Sequence, residues 1–140
     1  MIKSIILKNN IEECYKIRFK VFIEEQKFDE EIEIDEYDKI ANHILVFKDD
    51  IPVATARFFE VKNSWKIGRV CILKEYRNLK LGNYLMTEIE KEIIKLDGQK
   101  MVLSSQWQTI GFYEKNGFVK VGEEYLEEGC RHQKMEKVLQ

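Results

Sequence analysis

The stretch Arg77-Asn78-Leu79-Lys80-Leu81-Gly82-Asn83 has residue types that a phosphate site needs, where an apolar strand pattern gives way to a helical one. The start of a helix presents unpaired N–H groups and a partial positive charge, so it can cradle phosphate. Gly82 lets backbone approach a ligand closely, and Arg77 offers a guanidinium fork suited to phosphate oxygens. A second reading fits equally: Gly82 eases packing and Arg77 is a solvated turn residue. Neither GxxxxGK[ST] nor GxGxxG is present, so this is no P-loop and no dinucleotide fingerprint. Upstream, Asp29, Glu30, Glu31, Glu33, Asp35, Glu36 and Asp38 place seven acids in ten residues. They form either a solvated loop or a surface that draws in a cation. His43 and His132 stand far apart, and Cys130 beside His132 is too few close ligands, which argues against zinc. Cys14, Cys71 and Cys130 are an odd number at wide spacings, giving no disulfide framework.

The elements that must position these residues follow from hydrophobic period. Ile2 to Leu7 is a β-branched strand. Asn9 or Asn10 can cap a helix running to about Gln26, with Glu12 and Glu13 in its first turn and Ile11, Cys14, Tyr15, Phe19 and Phe22 on its apolar face. The acidic stretch reads as loop with a helical turn. Ile44 to Phe47, Val53 to Val61 and Trp65 to Leu73 are strands. Their turns, at Asp49 to Pro52 and Lys62 to Ser64, are short enough to require an antiparallel meander. The period then changes. Leu81, Leu85, Ile89, Ile93 and Leu96 form a helical stripe, closed by Asp97-Gly98 with the glycine taking a left-handed conformation. Met101 to Ser104 begins a central strand, so strand, helix and strand make a parallel βαβ unit. A short helix from Thr109 to Asn116 and two closing strands, near Phe118 to Tyr125 and Cys130 to Leu139, complete an α/β domain with helices on both faces of one mixed sheet.

Composition agrees. The chain has 140 residues, 44% hydrophobic and 34% charged, which fits a single domain over 1–140 and excludes disorder. Twenty-three basic against 25 acidic residues leave a net charge of −2, unlike a dedicated nucleic-acid binder. No apolar run approaches the roughly 18 residues of a membrane span, and the N-terminus lacks the marks of a signal peptide. A cytoplasmic protein with reduced thiols is the expectation.

Taken together, these segments resemble the GNAT N-acetyltransferase superfamily. Its motif is Arg or Gln, two residues, Gly, one residue, then Gly or Ala, opening the long helix after the fourth strand. Arg77 and Gly82 match it, while Lys80 stands where glycine is usual. Arg69 to Leu73 looks like the fourth strand, and Phe112-Tyr113-Glu114-Lys115-Asn116-Gly117-Phe118 like the Phe-Tyr-x-x-x-Gly-Phe segment. Val21 to Gln26, Glu33-Ile34-Asp35, Asp38, Ala41, His43, Glu128 to His132 and Met135 resemble the small ElaA-like bacterial branch.

The resemblance implies a GNAT-like fold: a mixed, mostly antiparallel sheet of about seven strands, flanked by helices and splayed between the fourth and fifth. It implies acetyl-CoA as cosubstrate, an amine as acceptor and no metal. Pantetheine would insert in the splay, pairing with backbone at Val70, Cys71 and Ile72, where an N–H would stabilise the oxyanion. Arg77, Asn78, Leu79, Lys80, Leu81, Gly82 and Asn83 would hold the pyrophosphate, and Gln106, Trp107 and Gln108 would lie where pantetheine or acceptor passes. Lys80 adds phosphate affinity if its conformation is ordinary helix, and weakens binding if glycine's freedom is needed. The helix start at Leu81 and Gly82 favours the first. Tyr113 would protonate the leaving thiolate, since a tyrosine with a pKa of about 10 keeps its proton at neutral pH. Glu24, Glu25, Glu33, Asp35, Asp38 and His43 are all candidates for the base, with Glu33, Asp35 and His43 in the foreground. His132 stays open between structural histidine and base. Cys71 would lie near the thioester, yet a cysteine in an apolar strand is usually a buried hydrophobe.

The reading is therefore an acetyl-CoA-dependent N-acetyltransferase acting on a primary amine by direct attack in a ternary complex, as monomer or homodimer, without nucleic acid or membrane. The alternative is a non-catalytic CoA-binding or interaction module that keeps the fold. A redox-sensing thiol protein resting on Cys71 and Cys130 is a third.

Overall fold

The computed structural model describes residues 1–139, without the side chains of Glu31 and Ile32. Strands β1 (Ile2–Leu7), β2 (Asn42–Lys48), β3 (Ile51–Val61) and β4 (Ser64–Ile72) form an antiparallel meander. Both tight hairpins carry consecutive left-handed residues, Asp49 and Asp50 in one, Lys62 and Asn63 in the other. Two central residues with positive φ give the turn whose twist matches the strands it joins. Ile51, Pro52 and Ser64, expected in turns, lie in strands instead.

Helix α3 (Leu81–Lys95) carries the chain over to β5 (Lys100–Gln106), which lies parallel to β4. Helix α4 (Ile110–Lys115) follows, then β6 (Val119–Lys120), β7 (Tyr125–Glu127) and β8 (Cys130–Val138). The sheet runs β1-β2-β3-β4-β5-β8-β6, with β7 also on β8, giving eight strands where about seven are expected. The extra one arises because the stretch predicted as one strand from Phe118 to Tyr125 breaks around Gly122, whose φ is +74°.

The two faces have separate cores. On one, Leu85, Met86, Ile89 and Ile93 of α3 pack on Ile44, Val46, Ala54 and Phe58. Each such buried aliphatic contributes about 2 kcal/mol. On the other, Ile11, Cys14, Ile17 and Val21 cover Leu45 and Cys71. This second helix begins with α1 (Glu12–Arg18), but neither Asn9 nor Asn10 caps it. Its N-cap is Ile11, with no side-chain cap bond, and Asn10 is left-handed. From Phe19 to Glu25 the backbone widens to a π-helical turn, with Gln26 N–H donating to the Val21 carbonyl at 3.0 Å. The widening rotates the apolar stripe, so Val21 is buried while Phe19, expected inside, is 38% exposed. The acidic stretch folds as a short helix α2 (Glu30–Glu33) and a 3₁₀ turn over Glu36–Lys39. Among the described residues, no helix is long and apolar enough to cross a membrane.

Candidate active site

β4 and β5 pair at only two positions, Trp65 with Met101 and Lys66 with Val102. Beyond them the strands part. A bulge in the β3–β4 ladder between Thr55 and Arg57 drives the separation, and Arg69 takes φ +53° within it. An extra residue in one strand bends it away from its neighbour. The gap is a cavity of about 350 Å³, with Gly68 and Val70 on the β4 side and Ser104 and Gln106 on the β5 side. Backbone on these inner edges has no ladder partner across the gap, so it is free to pair with an extended chain laid between the strands.

The loop from Arg77 to Asn83 leads from the end of β4 into α3. Asn78 and Lys80 are both left-handed, at φ +70° and +61°, and Lys80 is the N-cap of α3. Position 80 thus uses the conformation glycine adopts freely, not the ordinary helical one, and Lys80 carries that strain with its side chain exposed. Gly82 is needed for space: a Cβ there would meet the Phe112 ring at 2.9 Å. Leu81 is buried and anchors the helix start, Leu79 is exposed, and Asn83 accepts a hydrogen bond from Asn116. Arg77 donates from Nε to the Ile72 carbonyl and from both Nη atoms to Glu25.

Three acids of the stretch, Glu33, Asp35 and Asp38, are neutralised by arginines rather than solvated. Arg18 donates to Glu33 at 2.8 Å and to Asp38 at 2.7 Å. Arg57 grips Asp35 through two bonds, at 2.6 and 2.9 Å, and reaches Asp38 at 3.1 Å. Arg69 donates to the Glu33 carbonyl at 3.0 Å and to Asp35 at 3.2 Å. Three guanidinium groups thus meet three carboxylates, and Glu33, Arg57 and Arg69 form one wall of the cavity. Burial opposes ionisation of Asp38, but the bonds and charge of Arg18 outweigh it and hold the carboxyl at about 2. Asp35 is held low in the same way by Arg57 and Arg69 against its burial. The half-buried Asp35 cap accepts from Tyr37 N–H while Asp38 accepts from Asp35 N–H, a reciprocal capping box. His43 lies away from the cavity lining, fully buried, with Nε2 3.0 Å from the Asp38 carbonyl oxygen. Burial pushes its pKa down, against the pull of that carbonyl and the Asp38 charge. Glu24 flanks a different surface depression beside Pro52 and Leu73.

Tyr113 faces the cavity from α4, wedged edge-on between Phe112 and Phe118. Its hydroxyl has no hydrogen-bond partner among the described residues. Burial, with a further contribution from Cys71, pushes its pKa well above 10. Cys71 points to the opposite face, under α1, and burial raises its thiol pKa strongly. Gln106 bridges to Gln26 at 3.3 Å and accepts from Gln108. Trp107 is 54% exposed, with the Arg131 guanidinium 5.2 Å from its ring centre. His132 is 6% exposed and lines the cavity from β8, opposite Gln106 in the ladder.

Sequence reasoning missed Arg18, Arg57 and Arg69. The signal was present: Arg18 continues an apolar helical stripe and Arg57 interrupts an apolar strand. A guanidinium in either place requires buried acids, and the neighbouring sequence supplies them.

A strand pair that opens into a cleft beside a glycine-containing helix start is the geometry of a CoA-dependent acyltransferase. Residues 9–139 match the family model described as "Acetyltransferase (GNAT) domain", and the chain belongs to that family. The protein YyaT of Bacillus subtilis is 40% identical over 142 residues, covering 99% of this chain and 95% of the relative. The crystal structure of Escherichia coli ElaA superposes with TM-score 0.84 at 30% identity, covering 98% of this chain and 99% of that one. An acyl-CoA N-acyltransferase from Pseudomonas aeruginosa gives 0.86 at 25% identity, covering 98% and 99%.

Proposed function

We propose that the protein is an acetyl-CoA-dependent N-acetyltransferase that acylates a primary amine by direct attack. What carries the proposal is the parting of β4 from β5 beyond Lys66 and Val102, with Val70 and Tyr113 facing the same cavity. In this reading the thioester arm lies in the gap and pairs with backbone at Val70, Cys71 and Ile72. One of those N–H groups faces the thioester carbonyl, where it stabilises the oxyanion of the tetrahedral intermediate. Arg77 to Asn83 receives the pyrophosphate, and Gln106 flanks the arm from β5. Tyr113 protonates the leaving thiolate. The hydroxyl has no partner among the described residues to compete for its proton, and burial keeps it protonated. The Cys71 thiol, buried on the far face, supports direct attack over a covalent acyl-cysteine. The reading takes residues 1–140 as one catalytic domain acting in the cytoplasm, as monomer or homodimer, on a small-molecule or protein amine.

Calorimetric titration with acetyl-CoA tests it, with an analogue lacking the nucleotide and pyrophosphate as control. Micromolar binding that needs the nucleotide half, followed by thiol release with an amine panel, is the expected outcome. Absence of binding to a folded sample overturns it. A second reading, a non-catalytic module that keeps the fold, is favoured by one observation. Lys80 occupies a left-handed position in the phosphate loop. CoA binding without turnover on any amine would support that reading.

A further inference from the structure

Resting on the acyltransfer reading, we propose that His132 is the general base and that Glu127 docks the acceptor ammonium beside it. Glu33, Asp35 and Asp38 are bound to arginines, and the same guanidinium groups that hold Asp35 and Asp38 ionised make them weak bases. His43 does not line the cavity. His132 does, and its tautomer is set by a neighbour. Its Nδ1 lies 2.9 Å from the Cys130 carbonyl oxygen, which can only accept, so Nδ1 carries the proton and Nε2 presents a lone pair. The ring is held by stacking on Tyr125, centroids 6.1 Å apart at 26°, while the Tyr125 hydroxyl bonds to Ser104 Oγ.

Glu127 completes the arrangement. Its Oε2 lies 3.8 Å from His132 Nε2, with the carboxylate itself half-exposed. An ammonium entering there donates to Glu127 and to Nε2 together. Transfer of one proton to Nε2 leaves a free amine and an imidazolium paired with Glu127. The nitrogen lone pair then forms the C–N bond, the C–S bond breaks, and the thiolate takes its proton from Tyr113. The second proton lost from nitrogen reprotonates Tyr113, and His132 returns its own to solvent. The other charged groups lining the cavity are Glu128 beside Glu127 and, on the opposite wall, Glu33, Arg57, Lys66 and Arg69. Arg57 and Arg69 are paired with acids there, and Lys66 is the cation across the cavity without such a pair among the described residues.

The test is the pH profile of kcat/KM for thiol release, with acetyl-CoA affinity measured in parallel by calorimetry. Wild type should show an acid limb, because the base must be unprotonated to take the ammonium's proton. His132→Gln should lose about a hundredfold or more in rate, lose that limb, and bind acetyl-CoA as before. Glu127→Gln keeps the imidazole and changes an exposed side chain, so folding is not at issue. It should raise KM for the amine, because the ammonium loses its docking carboxylate. A His132→Gln enzyme within about threefold of wild type overturns the proposal, as does a Glu127→Gln enzyme with KM for the amine unmoved. Failure of wild type to acylate any amine instead removes the underlying acyltransfer reading, and the base assignment with it.

Discussion

Arg77 donates from both Nη atoms to the two carboxylate oxygens of Glu25, at 2.6 and 2.7 Å, joining the proposed phosphate loop to the end of the π-helical turn. The adjacent Gln26 reaches Gln106 on the other lip of the cleft. Both members of the ion pair are about one-third exposed, so solvent screens it and its worth is about 1 kcal/mol or less. A phosphate arriving at Arg77 competes with Glu25 for the same fork. Glu25→Gln should therefore tighten acetyl-CoA binding by about two- to fivefold, and Arg77→Ala should weaken it by about tenfold. Calorimetric titration of the two variants decides the matter, and weaker binding by Glu25→Gln would show that the carboxylate positions Arg77 instead.

Lys80 sits in the left-handed region as the N-cap of α3, with no side-chain cap bond. A non-glycine residue there costs about 1–2 kcal/mol, partly offset by the chain entropy that glycine loses on folding. Lys80→Gly should raise stability by about 0.5–1 kcal/mol, seen as a higher urea midpoint at unchanged slope. Comparing acetyl-CoA affinity in the same variant isolates the ammonium: a weaker complex from a more stable protein means that the charge contributes to phosphate binding.

How far the sequence reveals this molecule depends on the range of the interaction that decides each feature. The meander, the long helix and the βαβ crossover rest on local period and short turns, and they are where the pattern puts them. Gly98 is instructive. Its place after the helix was expected to supply a left-handed residue, but Asp97 does so, at φ +63°. Glycine is needed at 98 because a Cβ would fall 2.3 Å from Ile93 and 2.7 Å from the Trp65 ring, a tertiary contact that no local window contains. The π-helical widening at Phe19–Glu25 likewise misplaces Phe19. In the site, residue type and the resemblance to a family single out the loop from Arg77 to Asn83, which the fold places at the start of α3. The commitment of Glu33, Asp35 and Asp38 to arginines was not legible, since Arg18, Arg57 and Arg69 come from three separate elements and meet the acids only in the fold.

Tyr113 offers a sharp separation of roles. Its ring packs between Phe112 and Phe118 while the hydroxyl makes no hydrogen bond among the described residues. Tyr113→Phe therefore removes no structural bond, and stability should stay within about 0.5 kcal/mol. If the hydroxyl protonates the thiolate, kcat should fall by about a hundredfold with acetyl-CoA affinity unchanged. Single-turnover rates beside calorimetry read both quantities. An unchanged kcat would return Tyr113 to a purely packing role.

Asp38 links the site wall to acid stability. Its carboxylate is 3% exposed, bonded to Arg18 and Arg57, and held at about 2 against an ordinary 3.8. A carboxyl with a depressed folded pKa contributes stability that is fully present above the unfolded value and is lost as pH falls through the folded one. The contribution here is about 2 kcal/mol above pH 4, fading between about pH 4 and pH 2. Asp38→Asn should cost more than that at pH 7, about 3 kcal/mol, because Arg18 is left buried with half its partners. Near pH 2 the protonated wild type and the variant should converge. Denaturant unfolding at pH 7, 4 and 2.5 measures the difference directly. A gap between the two proteins that stays constant across that range would mean that the network holds the 33–38 segment by shape and not by charge.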